Sequence, residues 1–240
     1  MTLDVRQFPC LSDNYGFLVH DRATGQVAAV DTPDAEVILQ ALKDSGWGRL
    51  DLILNTHWHP DHTQGNERLK VETGCEIVGP QEVRRAAPLD RMVVGGDQVR
   101  LGETVFEVTE APGHTLGHVT YHAPDAGLAF VGDVIFALGC GRLFEGTPEQ
   151  MWQSLQTIGQ WPARTWLYCA HEYTASNARF ALSLDDRPEM KAHAQAVLAL
   201  RERGEHTVPT TVEQELRFNP FLRARDAGEF ALRRRAKDDF

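Results

Sequence analysis

Asn55-Thr56-His57-Trp58-His59-Pro60-Asp61-His62 follows directly on an apolar run at 50–54 and places three imidazoles and a carboxylate within six positions. The apolar run reads as a buried strand, so these side chains sit on a loop anchored by a rigid strand end. Continued strand geometry points His57 and His59 the same way, whereas Pro60 bends the chain and turns Asp61 and His62 towards a second position close by. One ion could not readily take all four. Neutral imidazole and carboxylate at short spacing are the donors that borderline cations such as zinc require, and the stretch reads as a metal site.

Outward from this loop the chain alternates strand and helix. Before it, strand-like runs at 3–8, 15–20 and 26–30 are separated by turn residues, and 34–43 carries Val37, Ile38, Ala41 and Leu42 at amphipathic helical spacing, ended by Gly46 and Gly48. After it, helices are expected at 64–73 and 81–87 around a strand at 76–78, and strands at 98–101, 105–109, 118–122, 128–131 and 166–169. Two groups of strands with helices outside them indicate a layered sandwich. Three of these strands end in polar clusters, Gly113-His114-Thr115, Gly132-Asp133 and Ala170-His171-Glu172. Each cluster is weak alone, but ligands delivered from successive strand ends can converge on one edge of a sandwich. His118 is expected as a structural hydrogen-bonding partner, and His20, His122, His193 and His206 as solvent-facing or satisfied core residues.

From about residue 172 the composition changes. Segments 175–184, 188–203 and 226–237 are helical in pattern, and Thr210 or Thr211 with Glu213 or Gln214 offers N-capping chemistry. Six cationic residues between Arg223 and Lys237 form a basic concentration on a chain of net charge −10. That net charge argues against general nucleic-acid or membrane-surface binding. The absence of a signal-like start and of long apolar runs gives a cytoplasmic protein as the expectation. Four scattered cysteines suggest neither a thiolate metal site nor a redox dithiol.

Together, T-H-W-H-P-D-H, G-H-T-L-G-H, the V-G-D turn and A-H-E-Y resemble the metallo-β-lactamase superfamily, in the order that superfamily uses. More narrowly the chain resembles the glyoxalase II (hydroxyacylglutathione hydrolase) family over essentially its whole length. That likeness rests on F-A-L-G-C-G-R-L-F-E-G-T from Phe136, H-E-Y-T, N-P-F-L-R from Asn219 and the closing R-R-A-K-D-D-F. The resemblance implies an α/β (α+β) fold, a four-layer αββα sandwich at 1–171 with a helical substrate-binding domain at 172–240. It implies two divalent ions, zinc first with iron or manganese as alternatives: one on His57, His59 and His114, the other on Asp61, His62 and His171, with Asp133 bridging. A hydroxide shared by the ions would cleave the thioester of an S-(2-hydroxyacyl)glutathione such as S-D-lactoylglutathione, with Asp61 and Asp133 as the catalytic carboxylates. The positions matching the family's glutathione contacts are Arg142, Phe144, Tyr173, Arg234 and Lys237. Many family members carry Lys and Tyr where this chain has Arg142 and Phe144, so a hydroxyl contact is lost while the cationic role survives. The expected partner is a small molecule, met by a monomer.

Two other readings stand beside this one. A mononuclear-iron glutathione persulfide dioxygenase needs only two His and a carboxylate, and the presence of both His62 and His171 argues against it. A lactonase or β-lactamase would share every metal ligand, which leaves the basic tail as the discriminating feature.

Overall fold

The structure, a computed structural model, describes residues 3–240. The chain forms two compact units: one holds the chain up to Glu110 together with Gly117–Gly132, the other Ala111–Leu116 together with Asp133–Phe240.

The first unit is built on a six-stranded sheet in the order Leu3–Cys10, Asn14–Asp21, Val27–Val30, Leu52–Leu54, Glu76–Gly79, Arg91–Met92. The first three strands are antiparallel and the pairs from Val27–Val30 onward are parallel. Parallel neighbours require crossovers, which the helices Ala35–Ser45 and Asn66–Thr73 provide. Asp34 caps the first of these by accepting from the N–H groups of Glu36 and Val37, and Gly46 closes it at φ 73°. Such an N-cap contributes about 1 kcal/mol. The helix buries Ile38 and Leu42 in one cluster with Leu18, Ala29 and Ile53, so it covers one face of the sheet.

A second set of antiparallel strands, Gln98–Leu101, Thr104–Glu110, Val119–Ala123 and Leu128–Gly132, lies in the same unit. Phe17 from the first sheet meets Phe130 from the second at 5.5 Å between ring centroids, and Phe106 joins them at 6.3 Å from Phe130. The two sheets therefore pack face to face, with helix, sheet and sheet in successive layers.

The helix expected at 64–73 is Asn66–Thr73, and a further short helix, Pro60–Thr63, precedes it. Pro60 does more than bend the chain: at the first helical position its missing N–H costs nothing and its fixed φ starts the turn that carries Asp61 and His62. The helical turn expected at 81–87 is a 3-10 segment, Gln81–Arg85.

The second unit contains a two-stranded hairpin, Ile135–Phe136 with Gly139–Cys140, and the pair Trp166–Cys169 with Thr210–Thr211. Its helices are Pro148–Gly159, Thr174–Leu184, Pro188–Glu202, Val212–Phe218 and Ala227–Asp238. Helix Pro148–Gly159 was not among the sequence expectations, although Thr147 and Gln150 form a full capping box before its buried Met151, Leu155 and Ile158. Of the capping alternatives near 210, the structure uses Thr211 with Gln214. A core of Leu138, Ala178, Ala181, Met190, Ala194 and Phe218 joins the helices to the hairpin turn. Among the described residues no helix is long and apolar enough to cross a membrane.

Glu215 is buried beneath this turn, where its carboxylate accepts from the Leu138 N–H at 2.9 Å, Asn219 Nδ2 at 2.8 Å and the Thr210 hydroxyl at 2.6 Å. Burial outweighs those hydrogen bonds and pushes the carboxyl up to about 7 from 4.5. A raised folded-state pKa means that the folded protein holds this proton more tightly than the unfolded chain. The group's contribution is thus complete below 4.5 and lost as pH rises through about 7. At about 1.4 kcal/mol per pKa unit, the loss is on the order of 3 kcal/mol. Glu215→Gln, neutral at every pH, should remove it: in urea unfolding, stability of the variant relative to the parent is expected to improve by up to roughly 3 kcal/mol between about pH 5 and about pH 8. A relative stability that stays flat across that range would show that Glu215 is ionised throughout.

Candidate metal centre

In the first unit, four candidate ligands leave the end of strand Leu52–Leu54. His57 Nε2 faces His59 Nδ1 at 3.0 Å, and His62 Nε2 faces Asp61 Oδ2 at 3.4 Å. His57 and His62 are buried, while His59 and Asp61 are half-buried. The stretch therefore presents two donor pairs, each able to hold a proton or a cation between its two atoms.

Hydrogen bonds on the far side of the rings fix which nitrogen is presented. Asp31 Oδ2 accepts from His62 Nδ1 at 2.8 Å, which leaves His62 Nε2 unprotonated towards Asp61. The same carboxylate accepts from the Thr56 hydroxyl at 2.8 Å and from the Thr56 N–H at 2.8 Å. With its proton committed to Asp31, the Thr56 oxygen accepts from His57 Nδ1 at 3.0 Å and leaves His57 Nε2 unprotonated as well. One carboxylate thus orients two imidazoles, the outer-sphere arrangement that fixes tautomers and raises ligand basicity. Asp31 and Thr56 were not picked out as functional residues from sequence. The signal was available, because Asp31 follows strand Val27–Val30 just as the other polar clusters follow theirs. Its φ of 54° is a further cost that the fold bears at this position.

His118, expected as a structural partner, is fully buried and stacks on His57 with centroids 4.8 Å apart and planes at 21°. A side chain at Gly132 would place its Cβ 2.6 Å from His118 Nε2 and Thr56 Oγ1, and the position has φ 48°. The glycine of the V-G-D turn is therefore required by the packing behind His57.

In the second unit, the candidates His114, Asp133 and His171 are all buried. Asp133 Oδ2 lies 3.3 Å from His114 Nε2, and Asp133 Oδ1 lies 3.3 Å from His171 Nε2. One carboxylate thus addresses a different imidazole with each oxygen. The carbonyl of Arg142 can only accept, so its 2.9 Å contact with His114 Nδ1 puts the proton there and leaves Nε2 facing Asp133. Gly141 is needed beside this carboxylate, since a Cβ there would stand 2.0 Å from the Asp133 carbonyl oxygen.

The residues matched to glutathione contacts lie in the same unit. Phe144 meets the His114 ring edge-on at 5.2 Å, and Tyr173 stacks on His171 at 4.9 Å and 3°. Arg142 is exposed, with Nε 3.6 Å from Asp238 Oδ1. Lys237 donates to Ser176 Oγ at 2.6 Å, and its pKa is lowered by burial and then by the positive charges of Arg234 and Arg142. Arg234 differs from both: it is buried, donating to the Cys140 carbonyl at 2.9 Å and to Asp238 Oδ1 at 2.8 Å.

The donor set suits divalent cations. It offers imidazole nitrogens with fixed tautomers and carboxylate oxygens, with no thiolate among them, and each of its four pairs has its donor atoms turned towards one another.

Comparison with known proteins adds the family evidence. The family model of the metallo-β-lactamase superfamily matches residues 30–181, and that of the hydroxyacylglutathione hydrolase C-terminus matches residues 172–240. A hydroxyacylglutathione hydrolase of Erythrobacter litoralis is 49% identical over 251 residues, covering 99% of this chain and all of that protein. One of Hyphomonas neptunium is 52% identical over 226 residues, covering 92% of this chain and 87% of that protein. Among solved structures, ETHE1 from Myxococcus xanthus superposes with a TM-score of 0.74 at 26% identity, covering 97% of this chain and 90% of that one. The fold is that of the metallo-β-lactamases, as the sequence motifs imply.

Proposed function

The chain belongs to the hydroxyacylglutathione hydrolases of the metallo-β-lactamase superfamily, and on that premise we propose that it hydrolyses the thioester of S-(2-hydroxyacyl)glutathione, S-D-lactoylglutathione included. The products are glutathione and a 2-hydroxy acid, as in the second step of methylglyoxal detoxification. The observation that carries the reading is Asp133, whose two oxygens address His114 and His171 separately. In this proposal His57, His59 and His114 would hold one ion and Asp61, His62 and His171 the other, with Asp133 serving both.

Zinc fits this donor set best, with iron or manganese as the alternatives. When bound, two such cations supply Lewis acidity and bring the pKa of a shared water towards neutrality. The protein's own part is orientation. Asp31, through His62 and Thr56, and the Arg142 carbonyl, through His114, hold three imidazoles with Nε2 forward. In this reading Asp61, half-buried and hydrogen-bonded by Asn14 Nδ2 at 3.0 Å, would orient the attacking hydroxide besides serving as a ligand. Arg142, Lys237 and, from its buried position, Arg234 would supply positive charge for the glutathione carboxylates, with Phe144 and Tyr173 as apolar walls. We assign residues 1–171 to catalysis and 172–240 to the substrate.

The four buried, unpaired cysteines fit a reducing cytoplasm, and the net charge of −10 fits a chain that takes small molecules rather than nucleic acid. We take the working form to be a monomer. The test is a panel of acyl-glutathiones, lactones and a β-lactam, with metal measured on the same sample. Turnover confined to acyl-glutathiones at two metals per chain is the expected result. Turnover of lactones or the β-lactam alone would overturn the assignment.

A further inference from the structure

The N-P-F-L-R motif at 219–223 and the buried Glu215 have no part in the chemistry above, yet both end on the same short turn. Ala137 and Leu138 link the hairpin strands within the turn at 136–140, and Leu138 stands there at φ 59°. Side chains from the helical region hold the backbone of every residue in this turn. Asn219 Nδ2 donates to the carbonyls of Phe136 at 3.2 Å and Gly139 at 2.8 Å. Asn177 Nδ2 donates to the Ala137 carbonyl at 3.1 Å, the Leu138 N–H donates to Glu215 Oε2 at 2.9 Å, and Arg234 donates to the Cys140 carbonyl at 2.9 Å.

These groups are buried, and so is the turn. Asn219 is itself fixed, since its Oδ1 accepts from the N–H groups of Phe221 and Leu222 while Nδ2 also reaches Glu215. Backbone groups of a turn normally pair within the turn or with water. Here neighbouring helices supply the partners, which makes the position of the turn a property of the helical region.

The turn also borders three candidate ligands. Asp133 precedes the hairpin and its carbonyl packs on Gly141. Two residues past the turn, the Arg142 carbonyl sets the tautomer of His114. Phe136 presents its ring edge-on to His171 at 5.8 Å. We propose that Asn177, Glu215 and Asn219 are positioning residues, through which the helical region sets the placement of Asp133, His114 and His171 as well as serving the substrate. This deepens the metal-centre reading and rests on it.

The proposal is tested on the full-length metal-loaded protein, comparing Asn219→Ala and Asn177→Ala with the parent. Zinc retention is read by titration with a chelator well below the melting temperature, where a purely structural role leaves it unmoved. Zinc is expected to be lost at roughly tenfold lower chelator concentration, the lower end of what removing a group bonded directly to a ligand causes, because these residues act through the turn. Turnover number should fall by a common factor on a glutathione thioester and on a small uncharged thioester, with KM for the former little changed. Folded variants that hold zinc as the parent does, with parental turnover on both thioesters, overturn the proposal. Should Asn219→Ala not fold, Asn177→Ala decides by the same readings, because it gives up a single bond to the Ala137 carbonyl. A parent that binds no zinc at all would instead overturn the metal-centre reading itself.

Discussion

Turnover by Asp133→Ala is expected to fall on the order of a thousandfold or more, with metal content dropping below two equivalents per chain. The carboxylate addresses His114 with one oxygen and His171 with the other, both at 3.3 Å, so its removal weakens both halves of the proposed centre at once. Electrostatic stabilisation of several kcal/mol is at stake, and each 1.36 kcal/mol is about tenfold in rate. The measurement is steady-state hydrolysis of a glutathione thioester with metal analysis on the same preparation. Asp133→Asn, which keeps one carbonyl oxygen, should lie between the parent and the alanine variant. If the alanine variant retains two equivalents and parental turnover, the bridging role is wrong.

The second large effect separates recognition from chemistry. From sequence the pair to change is Arg234 with Lys237, both far along the chain from every proposed ligand. The structure makes Arg142 with Lys237 the cleaner pair, because Arg234 is buried against the Cys140 carbonyl and its loss would disturb the turn at 136–140. Arg142 is exposed and shares no hydrogen bond with that turn through its side chain, while the Lys237 pKa is lowered first by burial and then by the neighbouring charges of Arg234 and Arg142. Carboxylates of an incoming glutathione offset those charges. A charge-assisted contact is worth roughly 1.5–3 kcal/mol, or on the order of ten- to a hundredfold in an equilibrium constant. Held equally in ground and transition states, it should appear in KM rather than in turnover number. The double variant is therefore expected to show that rise in KM for a glutathione thioester, with parental metal content and parental hydrolysis of a small uncharged thioester. Parental kinetics on both substrates would reduce the basic tail to a solvated helix face.

Most of the architecture was legible in local pattern. The strands expected at 98–101 and 128–131 and the helices after Asp34 and Pro188 follow from periodicity and turn chemistry, which are properties of neighbouring residues, and capping chemistry near 210 was visible with the choice of Thr211 and Gln214 left open. Helix Pro148–Gly159 carries an intact start signal in the Thr147 and Gln150 capping box, although it was not among the expected helices.

For the site, the donor chemistry was legible in local sequence. Three imidazoles and a carboxylate at 57–62, with His114, Asp133 and His171 each at a strand end, specify nitrogen and oxygen donors in a number that one ion cannot use. Which nitrogen His57, His62 and His114 present, and what holds it there, depends on long-range packing. Asp31 reaches His62 across 31 positions, Arg142 reaches His114 across 28, and Asn219 reaches Phe136 across 83. Hydrogen bonds of that kind depend on a donor and an acceptor meeting within about 3 Å, and chain separation carries no information about such a meeting. The buried cation Arg234 makes the same point: its charge was plain in the sequence, but only the packing of helix Ala227–Asp238 turned that charge inward, onto a carbonyl that would otherwise be buried without this donor.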